Sequence, residues 1–182
     1  MNYNNKILIA MPGMKSRIFD HSVIYMHTDS DDGTLGFIVN VKMDFDQASS
    51  WSNDVSWPYP DRVHLGGPVD PRLGYIVHSN DYSTRSTSRL NDYISYTGRT
   101  GIVTDVKRGI GPDQVMLLTG YCSWQPGQLQ AEIDRNEWYV TDFDVDYLFT
   151  DLDKYDTWKH AIDIAATKET RRLLNSIDIL GD

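Results

Sequence analysis

Short runs of β-branched and aromatic residues, each closed by a turn signal, dominate the first half of the chain. Residues 7–10 (Ile-Leu-Ile-Ala) form an apolar run that stops at Pro12-Gly13, and residues 22–27 and 34–39 read as two further strands. Between these two lies Asp29-Ser30-Asp31-Asp32-Gly33, and Asp-Gly tolerates positive φ, so the segment predicts a hairpin turn. It is no EF-hand loop, because Gly33 and Asn40 stand where acidic ligands belong. Residues 43–62 are irregular and polar, and the expected role of Trp51 and Trp57 is to pin this long loop to the body. Residues 63–69 and 73–79 flank Gly66-Gly67-Pro68 and predict a second strand pair. Residues 80–92 read as an exposed loop and 93–97 as an edge strand.

The second half brings helices. Ile102, Val103 and Val106 share a helical face over 100–108, ended by Gly109, and the apolar run 115–121 predicts a central strand. Pro126 opens a helix that carries Leu129 and Ile133 on one face and Gln128, Glu132 and Asn136 on another. Residues 138–141 return as a strand, and Asp142 or Asp144 caps a short segment at 145–149. Trp158, Ala161, Ile162 and Ala165 form a stripe on a helix over 155–166, followed by a further helical stretch at 168–176 with Leu173, Leu174 and Ile177. Strands come first and helices late, without repeats or a linker, which predicts an α+β fold in one domain over 1–182.

Composition narrows the function classes. The 182 residues are 40% hydrophobic and 24% charged, a globular balance. Seventeen basic against 26 acidic residues leave a net charge of −9, and direct nucleic-acid binding is not expected of such a chain. Cys122 is the one cysteine, so no intrachain disulfide forms and a reducing compartment is expected. No run is long enough for a membrane span or signal-peptide core, so we expect a soluble, cytoplasmic protein.

Nucleotide-binding, zinc-protease and serine-hydrolase motifs are absent, and the five histidines show no metal-ligand spacing. Neither a metal nor a cofactor is expected. Cys122, after a strand and before a helix, has a nucleophile reading with His78 as base, but buried cysteine is more often a small hydrophobe. The acidic stretch 131–156 holds nine acidic against two basic residues and reads as a solvated face with helix caps rather than a metal site. Gly66-Gly67-Pro68, with Arg62 and Arg72 nearby, reads as a turn that needs glycine rather than an anion nest.

Several blocks together resemble the YqgE/AlgH family of bacterial proteins. They are Leu8-Ile9-Ala10-Met11-Pro12-Gly13-Met14 with Phe19 and Ser22-Val23-Ile24-Tyr25; Gly36-Phe37-Ile38-Val39-Asn40; Leu65-Gly66-Gly67-Pro68-Val69 with Gly74-Tyr75-Ile76-Val77-His78-Ser79; and Gly120-Tyr121-Cys122-Ser123-Trp124 with Gly127-Gln128-Leu129, Glu132-Ile133, Asn136 and Trp138. A weaker block is Leu148-Phe149 with Trp158 and Ala161. The segment 43–62, the thiol at 122 and the C-terminal tail depart from the family pattern. The resemblance implies a bifurcated, mostly antiparallel sheet curled into a pseudo-barrel with outer helices. Some family members carry a transcriptional-regulator label.

Three functions remain open at this point. The first is a non-enzymatic regulatory or ligand- or protein-binding module, with no catalytic residue. The second is an enzyme with an unrecognised site near His78 and Glu132. The third is a transcriptional regulator that acts through a protein partner. Asn40, His78, Gln128, Glu132 and Asn136 are the ligand-binding candidates. The partner, whether a protein or a small molecule, is unknown.

Overall fold

The computed structural model describes residues 2–43 and 57–179, with the backbone alone described at 99–100 and 173–179. Trp51, Leu173, Leu174 and Ile177 therefore lie outside the described residues or side chains. Nine strands form one sheet: β1 Lys6–Ala10, β2 Val23–Ser30, β3 Gly33–Ile38, β4 Val63–Leu65, β5 Val69–Ser79, β6 Thr87–Arg89, β7 Ile94–Thr97, β8 Val115–Trp124 and β9 Trp138–Asp142. The order across it is β6-β7-β5-β8-β3-β2-β1-β9, with β4 paired to β8 off this path. Among the described residues the α-helices are α1 Arg99–Lys107, α2 Gln128–Asp134 and α3 Lys154–Ile179. The architecture is α+β: a curled, mostly antiparallel half-barrel with helices packed on it.

Side-chain alternation sorts the strands onto two faces. Ile7 and Ile9 of β1, Tyr25 of β2, Val77 of β5, and Met116 and Leu118 of β8 pack on one face with Trp158, Ala161 and Ala165 of α3. The other face carries two clusters. Leu8, Ala10, Ile24, Ile38, Cys122 and Trp124 pack with Leu129 of α2, and Val63, Ile76, Val115 and Leu117 pack with Ile102, Val103 and Val106 of α1. Trp57 is buried in this last cluster, as expected of a residue that pins its segment.

The sheet divides at β8. Thr34, Leu35 and Gly36 of β3 pair with Trp124, Ser123 and Cys122. Beyond Gly36 the two strands separate and β4 enters between them. Ile38 N–H donates to the Gly66 carbonyl at 2.8 Å and Leu65 N–H to the Val41 carbonyl at 2.8 Å, while β4 runs parallel to β8 with Val63, His64 and Leu65 against Leu117, Leu118 and Thr119. This corrects the expected second strand pair, since β4 and β5 do not pair with each other but lie on opposite sides of β8. Glycine is required at the apex by close approach. A Cβ on Gly67 would overlap the Tyr121 carbonyl group, and one on Gly120 (φ 68°) would lie 2.5 Å from the Gly67 carbonyl oxygen.

Other differences are local. β7 is not an edge, because Thr87–Arg89 forms β6 outside it. The α2 helix begins at Gln128 rather than Pro126, after a left-handed Gly127 at φ 77°. The two expected C-terminal helices are one, α3, and the Thr167 hydroxyl donates to the Asp163 carbonyl within it at 2.8 Å. Among the described residues no helix is long and apolar enough to cross a membrane.

Candidate functional site

The five candidate residues are spread over the sheet. His78, fully buried on β5, has both ring nitrogens engaged. Nδ1 lies 2.7 Å from the Ser79 carbonyl oxygen and Nε2 lies 2.8 Å from the Thr97 hydroxyl. A carbonyl only accepts, so Nδ1 carries the proton and Thr97 donates to Nε2. Thr97 then accepts from Thr87 across 2.6 Å, which ties β5, β7 and β6 by one polar chain. Burial pushes the imidazole pKa down and keeps the ring neutral.

Asn40 is equally committed. Its Oδ1 accepts from Val23 N–H at 2.9 Å, and its Nδ2 donates to the carbonyls of His21 at 2.8 Å and Lys154 at 3.0 Å. It joins the start of β2 to the start of α3. Glu132 is held between two indoles, its Oε2 accepting from Trp124 Nε1 and Trp138 Nε1, each at 2.8 Å. Its Oε1 accepts from Gln128 at 2.9 Å, and Gln128 Oε1 in turn accepts from Gln125 N–H at 3.0 Å. Asn136 lies two residues past the end of α2, in the left-handed region (φ 56°), so it does not continue the helical face of Gln128 and Glu132 as expected, and it lines a surface cavity with residues 11–16. Gln128 and Glu132 are thus brought together, but His78, Asn40 and Asn136 stand elsewhere. None of Asn40, His78, Gln128 and Glu132 lines a main cavity among the described residues.

Cys122 is 1% exposed, its thiol directed to the Gly66 carbonyl at 3.5 Å, and burial pushes its pKa up to about 12. His78 pairs with Val115, seven residues along β8 and about 20 Å away at strand spacing, so the two form no nucleophile–base pair. Asp142 and Asp144 meet Lys6 and Lys168, Asp144 caps the short turn at Val145–Tyr147, and among the described residues no acidic cluster has metal-binding geometry.

A different histidine faces a cavity. The fork opens into a polar cleft of about 210 Å³ lined by Lys42, Asp61, Arg62, His64, Gln114 and Thr150, with Val115, Met116, Phe149 and Asp151 completing the wall. His64 reaches it because β4 places it opposite Leu118, on the face that carries α3. Its side chain is 5% exposed, yet Nδ1 has no hydrogen-bond partner among the described residues. Burial first, and Lys42 second, push its pKa down to about 4, against the smaller opposing effects of a hydrogen bond with the Arg62 backbone and of the Asp61 charge. At neutral pH the cleft therefore presents an uncharged imidazole with one nitrogen unsatisfied, flanked by an ammonium and a guanidinium. Sequence reasoning missed His64, since the parallel insertion that buries it has no local signal. The one hint was a histidine inside an apolar run beside Gly66-Gly67.

Comparison with known proteins places this geometry in context. A family model described as AlgH-like matches residues 7–168. A UPF0301 protein of Ruegeria pomeroyi is 37% identical over 160 residues, covering 84% of this chain and 86% of that protein. One of Methylococcus capsulatus is 34% identical over 170 residues, covering 87% and 89%. The solution structure of the AlgH protein from Pseudomonas aeruginosa superposes with a TM-score of 0.70 at 23% identity, covering 91% of this chain and 89% of that one. A crystal structure from Corynebacterium diphtheriae gives 0.66 at 21% identity, covering 88% and 86%. These two likenesses concern the fold.

Proposed function

The chain belongs to the AlgH-like family, and from that premise we propose that it is a non-enzymatic regulatory module that binds a small polar ligand in the cleft at the mouth of the fork. The observation that carries this reading is the unpartnered Nδ1 of His64, buried on the cleft wall. An unpaired buried polar atom costs about 1–3 kcal/mol, and a ligand that bonds to it recovers that cost on binding. The enzymatic alternative near His78 and Glu132 has less support, because both side chains are consumed by bonds that hold strands and helices together.

The test is a titration of the protein with small polar compounds, following the histidine ring resonances by NMR and the compounds in the same tube. At least one compound is expected to shift the His64 signals saturably while remaining chemically intact. Silence at His64 across the panel would overturn the reading. So would conversion of a compound that is lost on His78→Leu.

A further inference from the structure

The charges around the cleft are arranged for one kind of ligand. Lys42 and Arg62 face Asp61 and Asp151 there, so the mouth of the fork is balanced on a chain whose net charge is −9. The Arg62 guanidinium lies over the Tyr59 ring, 4.8 Å from its centroid, and makes no ion pair among the described residues. Lys42 Nζ donates to Asp151 twice, to Oδ1 at 3.0 Å and to the backbone carbonyl at 3.1 Å. The Asp151 side chain is fully exposed (102%), and among the described residues Lys42 is the ion-pair partner of its carboxylate. Such an exposed pair is weak and easily exchanged. A carboxylate of the chain itself thus sits on the ammonium at the rim, while Nδ1 of the imidazole on the cleft wall has no hydrogen-bond partner among the described residues.

We infer that the cleft takes a small carboxylate anion, which replaces the Asp151 side chain on Lys42, reaches Arg62 and meets the His64 ring with a second polar atom. This rests on the cleft being a ligand site and adds the class of ligand. A planar, singly charged group suits the guanidinium fork. A phosphate concentrates nearly two charges on one tetrahedral centre beside Asp61 and Asp151, whereas each carboxylate of an organic acid carries one. The cleft volume of about 210 Å³ falls below the usual range for drug-sized ligands, which limits the occupant to a few carbon atoms.

Succinate, inorganic phosphate and the neutral compound glycerol serve as probes, with His64 ring resonances and calorimetry as readouts. Wild type, Lys42→Gln and Asp151→Asn are compared. Both substitutions fall on side chains that reach solvent, and thermal melts check that the fold is retained. Succinate is expected to bind saturably and to shift His64. Asp151→Asn, which removes the internal competitor, is expected to tighten binding about two- to fivefold. Lys42→Gln is expected to weaken it about tenfold. Succinate binding that ignores both substitutions overturns the inference, as does phosphate binding tighter than succinate. If glycerol moves His64 and succinate does not, the ligand class is wrong and the cleft stands. If no probe moves His64, both fail.

Discussion

His78 and His64 lie on strands that flank the same stretch of β8, one opposite Val115 and the other opposite Leu118. Both are nearly inaccessible to solvent and both are kept neutral by burial. Their surroundings differ. His78 looks toward the α1 side, and its two nitrogens close a chain through Thr97 and Thr87 that stitches β5, β7 and β6. His64 looks toward the α3 side at the gap where the sheet divides, and its Nδ1 has no hydrogen-bond partner among the described residues. Burial of a histidine therefore does not by itself mark a site. An unsatisfied nitrogen on a residue that lines a cleft distinguishes the region proposed for binding from the region spent on holding the sheet.

The largest expected effect breaks the fork that separates the two regions. Gly67→Val places a side chain against the Tyr121 carbonyl, which is backbone and cannot turn aside. We expect a loss of about 3–5 kcal/mol in a denaturant melt. Hydrogen exchange on the variant should show β4 losing protection while β5 and β7 retain theirs. Wild-type stability would mean that the apex does not depend on this close approach.

The same substitution at the two histidines comes next, and it should give different results. His78→Leu removes the acceptor of the Thr97 hydroxyl and the ring donor to the Ser79 carbonyl and should cost about 2–4 kcal/mol at pH 7. His64→Leu removes an atom that is already unpaired and should change stability by less than about 1 kcal/mol, or raise it. Equal costs would erase the contrast.

Glu132 extends the comparison to the α2 side. Glu132→Gln keeps an oxygen for Trp124 and Trp138 but turns an amide NH2 toward the Gln128 NH2, donor against donor. The expected cost is about 1–3 kcal/mol, and the cleft, lined by other residues, should bind its ligand unchanged. A weakened ligand affinity in this variant would tie Glu132 to the site after all.

The sequence reads well wherever one local pattern decides. The alternation at Ile7, Leu8, Ile9 and Ala10 already divides β1 between two cores, and the Asp-Gly turn joins β2 to β3 with Ser30 opposite Gly33. The stripe Trp158, Ala161, Ala165 correctly marks the buried face of α3. The fork is a different matter. Val63, His64 and Leu65 beside two glycines look like one arm of a hairpin, yet their partner is β8, more than fifty residues away and parallel. Parallel pairing has no turn to announce it. The cleft inherits that illegibility, because Lys42, His64, Gln114 and Thr150 converge through the insertion of β4 and not through spacing in the chain. Glu132 was readable as a polar residue on its own helical face, but its two indole partners, six residues after and eight before it, required the return of β9.

The smallest effect sharpens the comparison through protons. The His64 ring has a pKa of about 4 in the folded protein, lowered first by burial and then by Lys42, whereas an unfolded histidine titrates near 6.5. Between these values the unfolded chain binds more protons than the folded one, so stability is full above about pH 6.5 and declines as the pH falls toward 4. The loss from His64 between pH 6.5 and 5.5 is about 1 kcal/mol. Buried His78 and His27 on β2 are lowered as well by desolvation and add slopes of the same sign, so wild type alone cannot assign the effect. Comparison with His64→Leu isolates it, since the other histidines remain. Asp81, Asp142 and Asp144 are held below the usual carboxylate range and titrate outside this window. The variant's stability should therefore fall about 1 kcal/mol less than that of wild type over the same pH unit. Identical slopes in the two proteins would show that the imidazole at the fork is protonated as readily as a free one, and the picture of a buried, unpaired ring would fail.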